Sequence, residues 1–290
     1  MKKILLTILS VCVAAGMSAQ EMKQYVPESG DWSVGMNLKP LINYMGGLFN
    51  QSAGVSINQI GGEAVTAGVD GYVMNPTVSI MGKYMITDNF AVRANLGVNV
   101  NNVTDRAYVR DDKAFFLNPL SQDKLVDSRL TKNMGMSLMA GVEYRVGEKR
   151  IQGVFGGGLL FAFQNESKSY TYGNAMTEIN QRPSSEFGLY GTEAGYYRTL
   201  KSWNSKADLY AGLALTAGVE YFVAPKVALG AEVSLCGYYM FGNQSYSQYE
   251  WYNDATEAVE IWTELNSPGN RGFHLATQNL GGSLYLSFYF

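Results

Sequence analysis

His274 is the only histidine in the 290-residue chain. Any Ser–His or His–Asp chemistry would have to run through it. A hydrolytic site of that kind wants a serine and a carboxylate beside the imidazole. Leu275 and Ala276 follow His274, no serine shares a short motif with it, and Ser283 stands several residues further on. His274 therefore reads as a loop residue, and no catalytic residue is assigned. The two cysteines are Cys12 and Cys236, and Cys12 lies in a stretch that reads as cleaved. Cys236 alone can form neither an internal disulfide nor a cysteine-based metal site. The acids Glu250, Asp254, Glu257, Glu260 and Glu264 are crowded, but their spacing matches no calcium loop. No metal and no cofactor is assigned.

Two other groups of side chains could carry a function. Lys39, Lys83, Arg93, Glu143, Arg145, Glu220 and Glu232 each fall on the polar side of an alternating run. Four bases against three acids suit an interlocked polar network inside a narrow sheet cylinder. The alternative is an ion path gated by the same pairs. The second group is aromatic: Tyr196, Tyr197 and Trp203 in one long connection, and Tyr249, Trp251, Tyr252 and Trp262 in another. Exposed aromatic loops suit the binding of a protein or a glycan. The alternative is that they pack on one another and rim a membrane.

The elements that must position these residues are strands. In Phe90–Asn101, Phe90, Val92, Ala94, Leu96, Val98 and Val100 oppose Ala91, Arg93, Asn95, Gly97, Asn99 and Asn101. That is a period of two. Similar alternation appears from Trp32, over Thr77–Ile86, Met134–Arg145, Phe155–Phe163, Leu209–Tyr221 and Val227–Tyr239, and over Leu280–Phe290. About eight strands follow, joined alternately by short turns and long loops. Thr87-Asp88-Asn89 has the composition of a tight turn. The long loops cover about Tyr44–Asn75, Thr104–Lys132 and Glu166–Lys206, and a fourth precedes the last strand. Within that fourth loop, Asp254 with Glu257 has capping-box spacing, which predicts a short helix over Asp254–Asn266.

The charges decide the surroundings. They lie on the polar faces of the runs, and the apolar faces carry none. A soluble barrel would hide its apolar face and show its charges to water. A barrel in lipid does the reverse, because a cation at the bilayer midplane costs about 2–4 kcal/mol. Aromatics collect at both strand ends, as in interfacial girdles: Trp32, Tyr84, Phe90, Tyr144, Tyr221 and Phe288 by the short turns, Phe161, Phe163, Tyr239 and Phe241 by the long loops. Residues 1–19 read as a secretory signal peptide, with Lys2 and Lys3 ahead of an apolar run and small residues near Ala19. Residues 20–290 then form one barrel domain. A net charge of −3, with only 16% charged residues, argues against nucleic acid.

These features, with the Thr87-Asp88-Asn89-Phe90 turn and the LYLSFYF end, resemble the small eight-stranded outer-membrane barrels of OmpA or OmpX type, over about Trp32–Phe290. The resemblance implies an all-β, closed, antiparallel up-and-down transmembrane barrel without a periplasmic domain. It implies location in the cell outer membrane, contact with its lipid and lipopolysaccharide, and long extracellular loops. It also implies insertion by the outer-membrane assembly machinery, which would read Tyr285, Phe288 and Phe290. The expected role is structural or surface-interacting: adhesion, partner binding or envelope integrity, with a surface protein or glycan as ligand. A narrow porin is the second expectation and a lipid A-modifying enzyme the third.

Overall fold

The computed structural model describes residues 25–38, 78–147, 149–192 and 195–290. The leader 1–19, the Gly-rich loop 44–75 and Lys39 lie outside the described residues. The chain is an antiparallel all-β sheet. Its strands are β1 Trp32–Asn37, β2 Val78–Thr87, β3 Phe90–Arg110, β4 Lys124–Val146, β5 Ile151–Thr171, β6 Leu189–Thr192, β7 Gly195–Asn204, β8 Asp208–Ala224, β9 Val227–Phe241, β10 Ser245–Asn253, β11 Ala258–Ser267 and β12 Arg271–Tyr289, with one short helix, α1 Asp112–Leu117.

There are twelve strands among the described residues, not about eight. Eight of them, β1, β2, β3, β4, β5, β8, β9 and β12, correspond to the alternating runs, and each has a hydrogen-bonded neighbour on both edges. The last residue takes part in these pairings: Phe290 N and O exchange hydrogen bonds of 2.9 Å with Trp32 O and N. The Thr87 hydroxyl accepts from the backbone N–H of Phe90 at 3.1 Å and fixes the turn into β3.

The other four strands lie in segments expected to be loops. β7 pairs with β10, and β10 with β11, so they extend the sheet from the upper part of β5. The helix expected over Asp254–Asn266 does not form. Asp254–Glu257 close a hairpin, with Glu257 at φ +52°, and Ala258–Ser267 run back as β11. The β-branched residues Val259, Ile261 and Thr263 suit the pleat better than a helix. Local capping spacing loses to pairing along the whole of β10. The loop expected over Thr104–Lys132 is also mostly sheet: β3 runs on to Arg110 and β4 begins at Lys124, paired throughout. Along this finger, cross-strand contacts such as Arg129–Asp105 at 2.8 Å replace apolar alternation.

The sheet is inverted relative to a water-soluble domain. Val92, Leu96, Leu138, Phe155, Leu215, Val233 and Phe288 are exposed, on strand after strand. Lys83, Arg93, Glu143, Arg145, Glu220 and Glu232, which alternate with them, are buried. Trp32 and Tyr84, with ring centroids 4.6 Å apart, sit at the short-turn end, and Tyr239 and Phe241, 4.8 Å apart, at the other.

Candidate functional site

The buried charges form one connected layer. Lys83 Nζ lies 2.8 Å from Glu143 and 2.7 Å from Glu220. Arg93 reaches Glu232 at 2.7 Å and Glu143 at 3.3 Å. Arg145 pairs with Glu143 at 3.1 Å and with Glu220. Six of the seven residues singled out from the sequence are thus in direct contact; the seventh, Lys39, is outside the described residues. Three cations face three carboxylates, and none of the six side chains is more than 5% exposed.

The strand period explains the convergence. These residues share one face of their strands, and the register aligns them: Lys83 stands opposite Arg93, and Glu143 opposite Gly156. Gly156 leaves room for the neighbours: a Cβ there would lie 2.7 Å from the Thr216 hydroxyl. Thr216 in turn accepts from Arg93 at 3.2 Å. Glu220 has four partners. Its carboxylate accepts from Lys83, Arg145, and the phenols of Tyr285 and Tyr289, both at 2.9 Å. Tyr285 fits because its register partner is Gly230, where a Cβ would run into the ring.

The ionic layer is sealed on both sides. Toward the short turns lie Met85, Ala91, Phe222, Ala228, Tyr289 and the incoming Tyr25. Tyr25 is held by Arg150, whose guanidinium stacks on the ring at 3.9 Å. An ion pair between Lys226 and Asp31 ties the same segment to the β8–β9 turn. On the other side are Met139, Leu160, Ala162, Tyr210, Ala214, Cys236 and Tyr238. A charged layer between these two clusters holds fixed ion pairs. Cys236 is buried and free.

His274 is not a loop residue. It lies in β12 opposite Tyr238, with the two rings stacked at 5.3 Å. Its neighbours Phe273 and Leu275 point to the exposed side. Period two therefore carries the imidazole to the Tyr238 side of the sheet.

The loop aromatics separate into three places. Tyr197, Tyr249 and Trp262 pack against one another, with centroids 5.1–5.6 Å apart, across β7, β10 and β11. Trp251 touches this group edge-on, 6.2 Å from Trp262. Trp203 is lower, stacked on Tyr246 at 5.8 Å. Trp251, Tyr252 and Tyr196 line a cleft of about 790 Å³ beside the β10–β11 hairpin.

The opposite wall of that cleft is a strap between β5 and β6, and sequence reading missed the residues that hold it. Asp127, fully buried in β4, accepts from Gly173 N at 2.9 Å and Glu186 N at 3.1 Å. Asn174 bonds the carbonyls of Arg110 and Ser184. Arg198 pairs with Glu250 and donates to the Asn174 carbonyl. Asp112 accepts from Ser184 N, Asn180 and Arg110. Burial alone would raise the Asp112 pKa, but the bonds from Ser184, Asn180 and Arg110 outweigh it and hold the carboxyl below the usual range. The only signal in the sequence was a cluster of small polar residues, which marks turns without saying what they bind.

No family model matches the chain, and no curated protein matches it. It is similar to the crystal structure of the outer membrane protein OprG from Pseudomonas aeruginosa, at 11% identity over 92% of this chain and 98% of that one, with a TM-score of 0.31. It is also similar to a major outer membrane protein from Thermus thermophilus, at 14% identity over 73% of this chain and 90% of that one, with a TM-score of 0.30.

Proposed function

We propose that this chain is an outer-membrane protein whose eight doubly paired strands close a transmembrane barrel, and whose upper sheet is held at the cell surface to bind a partner. The observation that carries this reading is the inversion of polarity: six ionised side chains are buried while the strand faces between them expose Leu, Val, Phe and Met. In water that arrangement wastes the hydrophobic effect and desolvates charge. In a bilayer it satisfies both faces, and pairing on both edges leaves these strands no open edge in lipid. The resulting barrel does not conduct, because the ionic layer and its apolar seals fill the cross-section. The folded material outside the wall is the upper sheet with its aromatics, so binding belongs there.

The short turns and the Trp32 end of β1 face the periplasm in this reading, and the finger of β3 and β4 with the β7, β10 and β11 sheet faces outward. The closing residues Tyr285, Phe288 and Phe290 serve insertion by the assembly machinery. Purified protein reconstituted in a planar bilayer tests the sealed interior. Insertion without steady single-channel steps is expected. A sustained, sizeable conductance would give the function to transport instead.

A further inference from the structure

The cleft at the outer tip combines the two kinds of group that grip a sugar. One wall is the hairpin between β10 and β11, with Trp251, Tyr252 and Asp254; the other is the strap, with Glu178 and Arg182; Tyr196 of β7 completes it. The Arg182 guanidinium lies over the Tyr196 ring, 3.4 Å from its centroid, which presents hydrogen-bond donors beside an aromatic group. Gln181 bonds Asp254 at 2.8 Å and fixes the distance between the walls. Tyr252 gives the independent observation. Tyr252 is only 8% exposed, it lines the cleft, and its hydroxyl is buried with no hydrogen-bond partner among the described residues. A buried phenol without a partner is costly unless something else bonds it.

Aromatic faces with adjacent carboxylates, amides and a guanidinium match a pyranose ring, which has apolar C–H faces and a rim of hydroxyls. Glu178 and Asp254 are acceptors for hydroxyl donors, while Arg182 is a donor in the same space. We propose that this cleft is a binding site for a neutral hexopyranose unit of a polysaccharide, with the ring lying on Trp251 and one hydroxyl bonded to Tyr252 Oη. The proposal rests on the surface-binding reading above and names its ligand class. The sugar could come from the cell's own surface polysaccharide or from outside, and the chemistry is the same for both.

The test uses the full chain in detergent, with tryptophan fluorescence read on titration. One arm uses polysaccharide released from the producing cells, the other a panel of neutral oligosaccharides from unrelated sources. Tyr252→Phe removes only the hydroxyl and should weaken binding about tenfold. Trp251→Ala should weaken it at least as much, and Tyr108→Ala, on the finger away from the cleft, should leave it unchanged. Saccharide binding in either arm with this pattern supports the site, and the arm that binds identifies the source. The proposal is overturned if neither arm binds, or if both cleft variants bind as the native protein does. Capture of a protein by the upper sheet without saccharide binding would also overturn it, while leaving the surface-binding reading intact. Heat-modifiable gel migration of each variant reports the barrel separately.

Discussion

Replacing Glu220 by Gln probes the ionic layer at a carboxylate with four partners. Native Glu220 accepts from Lys83, Arg145, Tyr285 and Tyr289. A glutamine keeps the volume but offers one acceptor oxygen, and its NH₂ group then faces donors. Lys83, Arg93 and Arg145 are left against only Glu143 and Glu232, so the described layer carries one uncompensated positive charge. Removing one member of a buried ion pair costs about 3–5 kcal/mol. At about 1.4 kcal/mol per tenfold, the folded-to-unfolded ratio should fall by a factor of roughly 10² to 4 × 10³. Lys83→Met should destabilise for the mirror-image reason. The double variant restores the balance of charge, so it should be less destabilised than the sum of the two single changes, by about 1–3 kcal/mol. The assay is urea unfolding in lipid vesicles, followed by tryptophan fluorescence, with the heated-versus-unheated gel shift as a second readout. An E220Q protein within about 0.5 kcal/mol of the native one would refute the reasoning, as would strict additivity in the double variant.

Other changes test other parts of the molecule. Leu215→Arg puts a cation on the exposed face of β8 and should cost about 2–4 kcal/mol by the same unfolding assay; an unaffected protein would mean that this face does not meet lipid. Gly230→Val would push into the Tyr285 ring, which even a Cβ would overlap, and should cost about 1–3 kcal/mol in unfolding. Deleting Phe290 removes two backbone bonds to Trp32 and should lower the amount of protein in the outer membrane, read by fractionation and gel shift. The Asp112 carboxyl is held below its usual range by bonds from Ser184, Asn180 and Arg110 against the effect of burial. Its folded pKa is thus below its unfolded one, so its contribution is full above the ordinary carboxylate pKa of about 3.9 and is lost as pH falls through the lower folded value. Limited proteolysis of the strap should accelerate across that acid window, and Asp112→Asn should be cut readily at neutral pH.

The wall of the sheet was legible because a sheet with buried charges on one face and exposed apolar side chains on the other must alternate strictly. On β3, Val92, Leu96 and Val98 must differ from Arg93, Asn95 and Gly97, and a one-residue slip would expose every charge. The charges of the ionic layer could be listed for the same reason. What period two could not supply was the pairing across the sheet. Glu220 stands 65 residues from Tyr285 and 137 from Lys83, and only the register and closely fitting glycines bring them together. Outside the wall the rule lapses. β10 and β11 carry no clean apolar stripe, and the capping-box spacing at Asp254 pointed to a helix. His274 was misplaced because Arg271, Gly272 and the preceding Asn270 look like loop composition, although Phe273 and Leu275 already alternate around the imidazole. Asp127, Asn174 and Arg198 were missed because their partners are mostly backbone groups, which composition does not reveal.

The central claim is that the exposed apolar strand faces meet lipid while the ionic layer stays dry. Nitroxide labels placed singly at Leu96, Leu138, Leu215 and Val233, with the protein in vesicles, measure this most directly through relaxation by oxygen and by a water-soluble nickel chelate. All four sites should be reached strongly by oxygen and weakly by the chelate. Strong relaxation by the chelate at these positions would place the apolar face in water and contradict the account.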